Sequence, residues 1–202
     1  MKFNHSSAAS ASRRRLRVMT RCVLMAALLC VLSPMSVAIG PVPVSLGLFG
    51  VLLAGVLLGP LYGSCSVLVF LLVGLVGLPV FAGGAGGFPV LAGPTGGYLW
   101  SYPLVAAAGG FLCRAACRVR CRGWKIALVA LSQLPGVAVC YALGTLQYCL
   151  LTGAAFWQGL AACVIPFIPF DLVKCLVAAV VGVLLAERKA LDLPGRNKAT
   201  PQ

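Results

Sequence analysis

Six apolar runs, separated by short polar or Gly- and Pro-rich segments, follow one another along most of the chain. They cover residues 22–39, 46–58, 62–78, 98–110, 126–151 and 171–185. A helix that crosses a bilayer needs about 20 mostly apolar residues, and several of these runs approach that length. Gly59 and Pro60 form a break between the second and third runs. The pattern predicts an all-α integral membrane protein with six transmembrane helices.

The connection between the third and fourth runs, residues 78–97, has an unusual composition. Its sequence, LPVFAGGAGGFPVLAGPTGG, contains seven glycines, three prolines and no charge. Long connections are usually either functional or disordered, and disordered segments are polar. This one carries apolar side chains such as Phe81 and Val90. We therefore expect a fixed loop that lines a cavity; the alternative is a plain Gly/Pro connector between two helices.

The segment before the last run, residues 152–170, is moderately apolar and ends in prolines. It predicts a short helix or a re-entrant segment packed across the outer mouth of the bundle. Asp171 follows Pro169 closely, and aspartate is a favoured residue at helix N-termini. We expect Asp171 to cap the last helix.

Composition and charge support a membrane protein and give it an orientation. Hydrophobic residues make up 61% of the chain and charged residues 9%, while the net charge is +13. Six spans that start inside place every Lys and Arg except Lys174 on the cytoplasmic side, a strong positive-inside signal. This placement explains the charge without nucleic acid, and the basic residues are expected to meet anionic lipid head groups.

The same distribution divides the chain into three parts. We expect a basic cytoplasmic N-terminal tail at residues 1–21, a six-helix membrane domain at 22–189 and a cytoplasmic tail at 190–202. The first run, 22–39, also resembles the apolar region of a secretory signal, so cleavage after it is an alternative. Both termini are otherwise expected in the cytoplasm.

Asp171 and Lys174 form a charged pair in an outer half that is otherwise free of charge. Three residues apart on a helix, they share one face. Ionisable residues inside a membrane are costly and usually mark substrate paths. The pair is therefore a candidate binding site near the glycine-rich loop, with a self-neutralising structural pair as the alternative.

Several classes of activity lack the residues that they need. The chain has no GxxxxGK[ST] motif for ATP, and its only histidine, His5, lies in the basic tail. The ten cysteines are spread through the apolar runs, where cysteine acts as a small apolar residue. We expect no enzyme activity, no metal site and no cofactor.

Four motifs resemble the BioY family, the biotin-binding substrate component of energy-coupling factor (ECF) transporters. They are GPVPVSLGLFGVLLAGVLLGP (40–60), GLPVFAGGAGG (77–87), GPTGGYL (93–99) and PFIPFDLVK (166–174). The resemblance implies an S-component-like bundle of six helices in the plasma membrane, which binds biotin on the outer side as its transported substrate. It further implies a partner module made of a membrane coupling subunit and two ATPases.

The resemblance also implies a set of ligand-binding residues. They are Asp171, Lys174, Tyr98, Phe81, Gly83, Gly84, Gly96, Gly97 and Ser45. We expect Asp171 to accept from the ureido N–H groups of biotin and Lys174 to meet a ligand carbonyl or carboxylate, with the glycine-rich loop closing over the ring. The chain departs from the family pattern at Ser45, Gly47 and Phe170, where relatives often have Thr, Gln and Gly.

Small residues on the first two runs are candidates for docking the coupling subunit. The spacing of Gly55 and Gly59 permits close helix contact, either with a partner helix or inside the bundle. Ala26 and Cys30 match the family's docking position only in their spacing. A self-sufficient carrier or channel for another small solute, and a structural membrane protein with no ligand, are the alternative functions.

Overall fold

A computed structural model describes residues 5–39, 42–116, 119 and 121–187. Most of these residues are helical. In chain order the elements are α1 (His5–Leu32), β1 (Ser36–Ile39), β2 (Val42–Ser45), α2 (Gly47–Leu75), α3 (Phe88–Ala92), α4 (Gly96–Ala116), α5 (Arg122–Thr152), α6 (Phe156–Cys163) and α7 (Ile168–Glu187). Short 3-10 turns at Ala82–Gly84 and Ile165–Phe167 precede α3 and α7. The C-terminal tail expected at 190–202 lies outside the described residues.

Helix α2 reverses direction at Gly59 and forms a helical hairpin. Gly59 has φ 79° and ψ −178°, far from helical values, and Pro60 follows it. In a straight helix nine residues cover about 13.5 Å. Yet a Cβ placed on Gly63 would lie only 2.9 Å from the carbonyl oxygen of Ala54. The two arms of α2 therefore pack against each other, which confirms the predicted break between the second and third spans.

The hairpin forms the centre of the bundle. Helix α2 packs against α1, α4 and α7, and α5 packs against α4 and α7. At the crossing of α2 with α4, a Cβ on Gly55 would lie 2.7 Å from the carbonyl oxygen of Ala106. The fully buried Val51 and Phe70 of α2 belong to the main hydrophobic core. Small residues thus let the two backbones approach closely, as is common between membrane helices.

The six predicted transmembrane helices are α1, the two arms of α2, α4, α5 and α7. Within the described residues, three helical stretches are both long and apolar enough to cross a membrane by themselves: Gly47–Leu75, Arg122–Thr152 and Phe156–Leu185. Many large apolar side chains are exposed on the outer faces of the helices. In a membrane protein these faces meet lipid, where an exposed apolar surface carries no cost.

The first span differs from its predicted bounds at both ends. Helix α1 begins at His5, so no change of secondary structure marks the expected boundary at residue 21. The helix ends at Leu32 rather than at residue 39, because Pro34 disfavours a helical conformation at Ser33. The following residues form a β-hairpin instead, in which Ser36 pairs with Ser45.

Two further elements follow the expectations with shifted ends. The segment 152–170 contains the short helix α6, as predicted. The last helix begins at Ile168, ahead of Asp171, so the expectation that Asp171 caps it is wrong. At the other end of α7, Glu187 forms ion pairs with Lys125 (3.3 Å) and Arg122 (3.5 Å) of α5. These contacts join the start of α5 to the end of α7.

Candidate substrate-binding site

A cavity of about 330 Å³ lies at one end of the bundle. Small-molecule sites usually measure about 300–1,000 Å³ and have apolar walls with few polar groups. Its walls come from the turn after α1, the β-hairpin, the start of α2, the glycine-rich loop, α4, α5, the 3-10 turn Ile165–Phe167 and α7. The lining residues are Ser33, Val42, Pro43, Val44, Ser45, Leu48, Phe81, Ala82, Ala85, Pro89, Val90, Gly93, Pro94, Thr95, Tyr98, Leu99, Tyr102, Cys140, Tyr141, Phe167, Asp171 and Lys174.

The charged pair lies in the cavity wall and is held by a third residue. Lys174 Nζ donates to Asp171 Oδ1 at 2.8 Å, and the Tyr141 hydroxyl donates to Asp171 Oδ2 at 2.7 Å. The side chains of Asp171 and Lys174 are only 7% and 11% exposed. The two side chains share one face of α7, as expected. Each carboxylate oxygen therefore has a partner, as a buried charge requires.

Tyr141 and several other polar wall residues were missed by the sequence analysis. Tyr141 lies inside the apolar run of α5. The sequence offers one signal for Tyr141, because this tyrosine lies in the middle of a span, away from the interfacial belts. A hydroxyl buried there usually needs a hydrogen-bond partner. Ser33 was missed because α1 was expected to continue through it.

The predicted aromatic residues belong to the wall and have defined partners. Phe81 is fully buried and meets Phe70 edge to face, with ring centroids 5.6 Å apart. The Tyr98 hydroxyl donates to the carbonyl oxygen of Cys163 at 3.3 Å, which links α4 to α6. The ring of Tyr98 packs directly over Gly144 of α5. These contacts hold both aromatic side chains in fixed positions.

The glycine-rich loop is tied down and lines the cavity, as expected. Gln147 Nε2 of α5 donates to the carbonyl oxygens of Leu91 (3.1 Å) and Gly93 (2.8 Å). Trp100 Nε1 also donates to Leu91 O, at 3.2 Å. Phe81, Val90 and their neighbours in the loop face the cavity. The loop is therefore a wall of the cavity rather than a plain connector.

The four glycines predicted to bind ligand are outside the cavity wall. Gly83 and Gly84 are exposed and have φ values of 71° and 73°. Residues with a side chain rarely adopt such positive φ values, so these two glycines make the turn possible. Gly96 and Gly97 are buried against backbone, with Gly96 next to Leu91 O and Gly97 next to Leu143 O. Gly83 and Gly84 shape the loop, and Gly96 and Gly97 allow close packing at the start of α4. None of the four lines the cavity, so they affect it only through the position of the backbone.

The four predicted docking residues have little free surface in this chain. Gly55 and Gly59 are buried in the α2 hairpin and against α4, which is the internal packing kept open as the alternative. Ala26 is 4% exposed and Cys30 is partly buried against the core. Docking through Gly55 or Gly59 would require the bundle to open, so we do not retain these two as contact residues.

The part of the chain that the structure describes contains no cluster of side chains that could hold a metal ion. No three His, Cys, Asp or Glu side chains among those residues lie close enough to share an ion. Asp171 is the acidic residue of the cavity wall, and its oxygens already face Lys174 and Tyr141. The site thus offers hydrogen-bond donors and acceptors in an apolar cavity.

Comparisons with known proteins agree with this arrangement. The BioY family model matches residues 4–190. A probable biotin transporter BioY of Pyrococcus horikoshii is 38% identical over 165 residues, which are 82% of this chain and 91% of the relative. The biotin transporter BioY of Thermotoga maritima is 35% identical over 84% of this chain and 96% of its own.

A solved structure extends the likeness to the whole bundle. The crystal structure of the S-component for biotin from an ECF-type ABC transporter superposes with a TM-score of 0.75 at 28% identity. The match covers 87% of this chain and 93% of that one. Fold, sequence motifs and extent of the match agree, and the chain belongs to the BioY family.

Proposed function

We propose that this protein binds biotin at the outer face of the cell membrane and serves as the substrate-binding subunit for its uptake. The observation that supports this most directly is the buried group formed by Asp171, Lys174 and Tyr141 in the wall of an otherwise apolar cavity. Biotin combines an apolar bicycle with a ureido group that carries both donors and an acceptor. An apolar cavity with a carboxylate beside an ammonium complements that combination.

In this proposal the pair recognises the ureido group from both sides. A carboxylate has about four lone-pair positions, and Lys174 and Tyr141 occupy one each. The remaining positions on Asp171 can accept from the ureido N–H groups. Lys174 keeps further N–H donors for the ureido carbonyl. Phe81 and Tyr98 supply apolar and aromatic wall for the bicycle.

Uptake against a gradient would need an energy source that this chain does not contain. By its likeness to the S-component, we assign it a membrane coupling subunit and two ATPases as partners, with both termini in the cytoplasm. The relatives described above are transporters, and we assign no chemical step to this chain. A carrier that works alone is the competing function, and it would respond to ion gradients without any ATPase.

Variants of the charged pair test whether it serves the ligand or only the fold. Lys174→Met leaves a buried carboxylate without its cation, which we expect to cost about 3 kcal/mol of stability. The double variant Asp171→Asn/Lys174→Met removes both charges and should recover most of the thermal stability of the wild type. We expect both variants to lose biotin binding, measured by equilibrium binding to the detergent-purified protein.

The double variant decides between the two roles. A stable double variant that does not bind biotin supports recognition by the pair. A stable double variant with the affinity of the wild type would mean that the pair is structural, and the proposed recognition would then be abandoned.

A further inference from the structure

A second groove lies between the end of α4 and the start of α5, whereas the substrate cavity lies at the opposite ends of these two helices. Its volume is about 360 Å³, and it runs between Leu112 and Ala115 of α4 and Leu128, Leu131 and Pro135 of α5. Among the described residues, none lines both the groove and the substrate cavity. The proposed function therefore leaves this groove unexplained.

The walls of the groove are almost wholly apolar and partly exposed. Leu131 is 60% exposed and Leu112 is 38% exposed. The polar lining residue Ser132 donates to Val129 O at 2.7 Å, so its hydroxyl needs no further acceptor. In a membrane such a surface is covered by hydrocarbon.

The length and position of the groove match one leaflet of a bilayer. Leu128 and Pro135 are seven residues apart, which corresponds to about 10.5 Å along a helix. Half of the hydrocarbon core of a bilayer is about 15 Å thick. Because α5 begins at Arg122, the groove lies in the leaflet that adjoins the basic end of the bundle. It is long enough to hold much of one acyl chain from that leaflet.

Positive charge is concentrated at the end of the groove that faces the membrane surface. Residues 111–125 include five basic residues and no acidic residue. Glu187 of α7 pairs with two of them, Arg122 and Lys125, and an excess of positive charge remains. The first turn of α5 has no side-chain cap, so the positive end of its dipole adds to the same field.

Lys125 and Trp124 bring this polar end next to the apolar groove. They precede Leu128 by three and four residues, so all three residues lie on one face of α5. Lys125 Nζ has three N–H donors, of which Glu187 Oε1 accepts one at 3.3 Å. Trp124 is 66% exposed, as is typical of tryptophan at the level of lipid head groups.

We propose that the groove between α4 and α5 binds one anionic phospholipid, with an acyl chain along Leu128 and Leu131 and the phosphate beside Lys125. Charge selects this occupant, because a neutral lipid or an apolar partner helix would gain nothing from the basic residues. The general attraction of basic residues to anionic lipid, predicted from the sequence, thereby becomes a site for a single molecule. The site does not depend on biotin, so it can stand or fail apart from the proposed function.

Native mass spectrometry of the purified full-length protein can count the lipids that stay bound. Phosphatidylglycerol and phosphatidylcholine with identical acyl chains differ in head-group charge, and glycerol phosphate offers the anionic group without chains. Each basic residue near an anionic surface contributes about fivefold to the attraction. We expect one phosphatidylglycerol to bind at least tenfold more tightly than phosphatidylcholine, and glycerol phosphate at the same concentration not to displace it. Equal binding of the two lipids would overturn the proposal.

Ala115→Phe tests the place of the acyl chain. Ala115 is an exposed residue of the groove, so a phenyl ring there would fill the groove without entering the core. Ala142→Phe is the control, because Ala142 is an exposed alanine of α5 that does not line the groove. We expect Ala115→Phe to bind phosphatidylglycerol at least fivefold more weakly, while Ala142→Phe binds it normally and both variants keep the melting temperature of the wild type. Unchanged binding by folded Ala115→Phe would remove the lipid from this groove.

The variant Arg122→Gln/Lys125→Gln tests the head-group contact independently. Arg15→Gln/Arg17→Gln is its control, since it removes the same charge from exposed side chains of α1, a helix that packs against α2. We expect the α5 variant to bind phosphatidylglycerol at least tenfold more weakly, and the α1 variant less than twofold more weakly. Equal losses would show that the lipid responds to the overall charge of the protein, and the site would then be abandoned.

Discussion

Asp171 is held in place before any ligand arrives. Its two oxygens receive hydrogen bonds from residues of two different helices, Tyr141 on α5 and Lys174 on α7. A carboxylate fixed in this way presents its remaining lone pairs in a constant direction. Pre-organisation of this kind raises affinity because less freedom is lost on binding. Tyr141 thus contributes to the site although it need not touch the ligand.

Tyr141→Phe should separate this orienting role from packing. The substitution removes only the hydroxyl that donates to Asp171 Oδ2 at 2.7 Å. A hydrogen bond to a charged group is worth about 1.5–3 kcal/mol, so we expect biotin affinity to fall about tenfold or more. Equilibrium binding to the purified variant measures the change.

Tyr148→Phe is the matched control for this substitution. Tyr148 lies on the same helix and does not itself line the cavity, although it packs on Val42 and Phe167, which do. Its variant should bind biotin normally. Equal affinities for Tyr141→Phe and the wild type would show that the hydroxyl does not orient the carboxylate for ligand.

At this scale the sequence revealed the charges but few of their partners. Asp171 and Lys174 stood out because charge within an apolar outer half is unusual and costly. Tyr141 and Ser33 carry no charge, and their places in the cavity wall depend on segments that are distant in sequence from Asp171. The glycines at 83, 84, 96 and 97 were assigned to the ligand, although backbone geometry and close packing explain them.

The crossing of α2 and α4 depends on the absence of side chains. A Cβ on Gly110 would lie 2.7 Å from Gly55 O, from the carbonyl carbon of Gly59 and from Pro60 N, all of them backbone atoms. Backbone cannot move aside as a flexible side chain can. The reversal at Gly59 and the contact with α4 therefore form one tightly packed unit.

Gly110→Ala and Gly109→Ala form a pair of neighbouring substitutions with opposite expectations. Overpacking at Gly110 should cost about 1–3 kcal/mol and lower the melting temperature in detergent. A Cβ on Gly109 would be 3.7 Å from the Gln133 side chain, which is ordinary contact, so this variant should remain as stable as the wild type. Similar melting temperatures for the two variants would contradict the packing described at this crossing.

At the level of elements, the hydrophobic runs predicted the helices but not the two strands. The six runs are apolar over enough residues to indicate helices that cross a membrane. Strand β1 was instead absorbed into the first span, because a four-residue apolar strand is indistinguishable from the end of an apolar helix. Pro34 is the available signal, because it disfavours a helical conformation at Ser33.

The whole molecule has a strongly asymmetric charge distribution. Every Lys and Arg except Lys174 falls in the segments assigned to one side of the membrane. The ion pairs of Glu187 with Arg122 and Lys125 belong to that same side and join α5 to α7. Lys174 and Asp171 line the cavity at the opposite end of the proposed topology. In this topology the charge pattern separates a basic face from the face that we propose receives ligand.

Fusions at the C-terminus test this orientation. The positive-inside rule predicts that green fluorescent protein attached there is fluorescent and that alkaline phosphatase attached there is inactive. A phosphatase fusion inserted in the loop of residues 152–155 should be active, because this loop is expected outside. Active phosphatase at the C-terminus would reverse the proposed topology and place the cavity toward the cytoplasm.

The most direct test of the whole account is equilibrium binding of labelled biotin to the detergent-purified wild-type protein, with unlabelled biotin and other vitamins as competitors. The apolar cavity and its pre-organised charged group predict saturable, nanomolar binding that only biotin and its close analogues displace. Folded protein that binds no biotin, or that releases it equally well to unrelated vitamins, would contradict the assignment of this cavity to biotin.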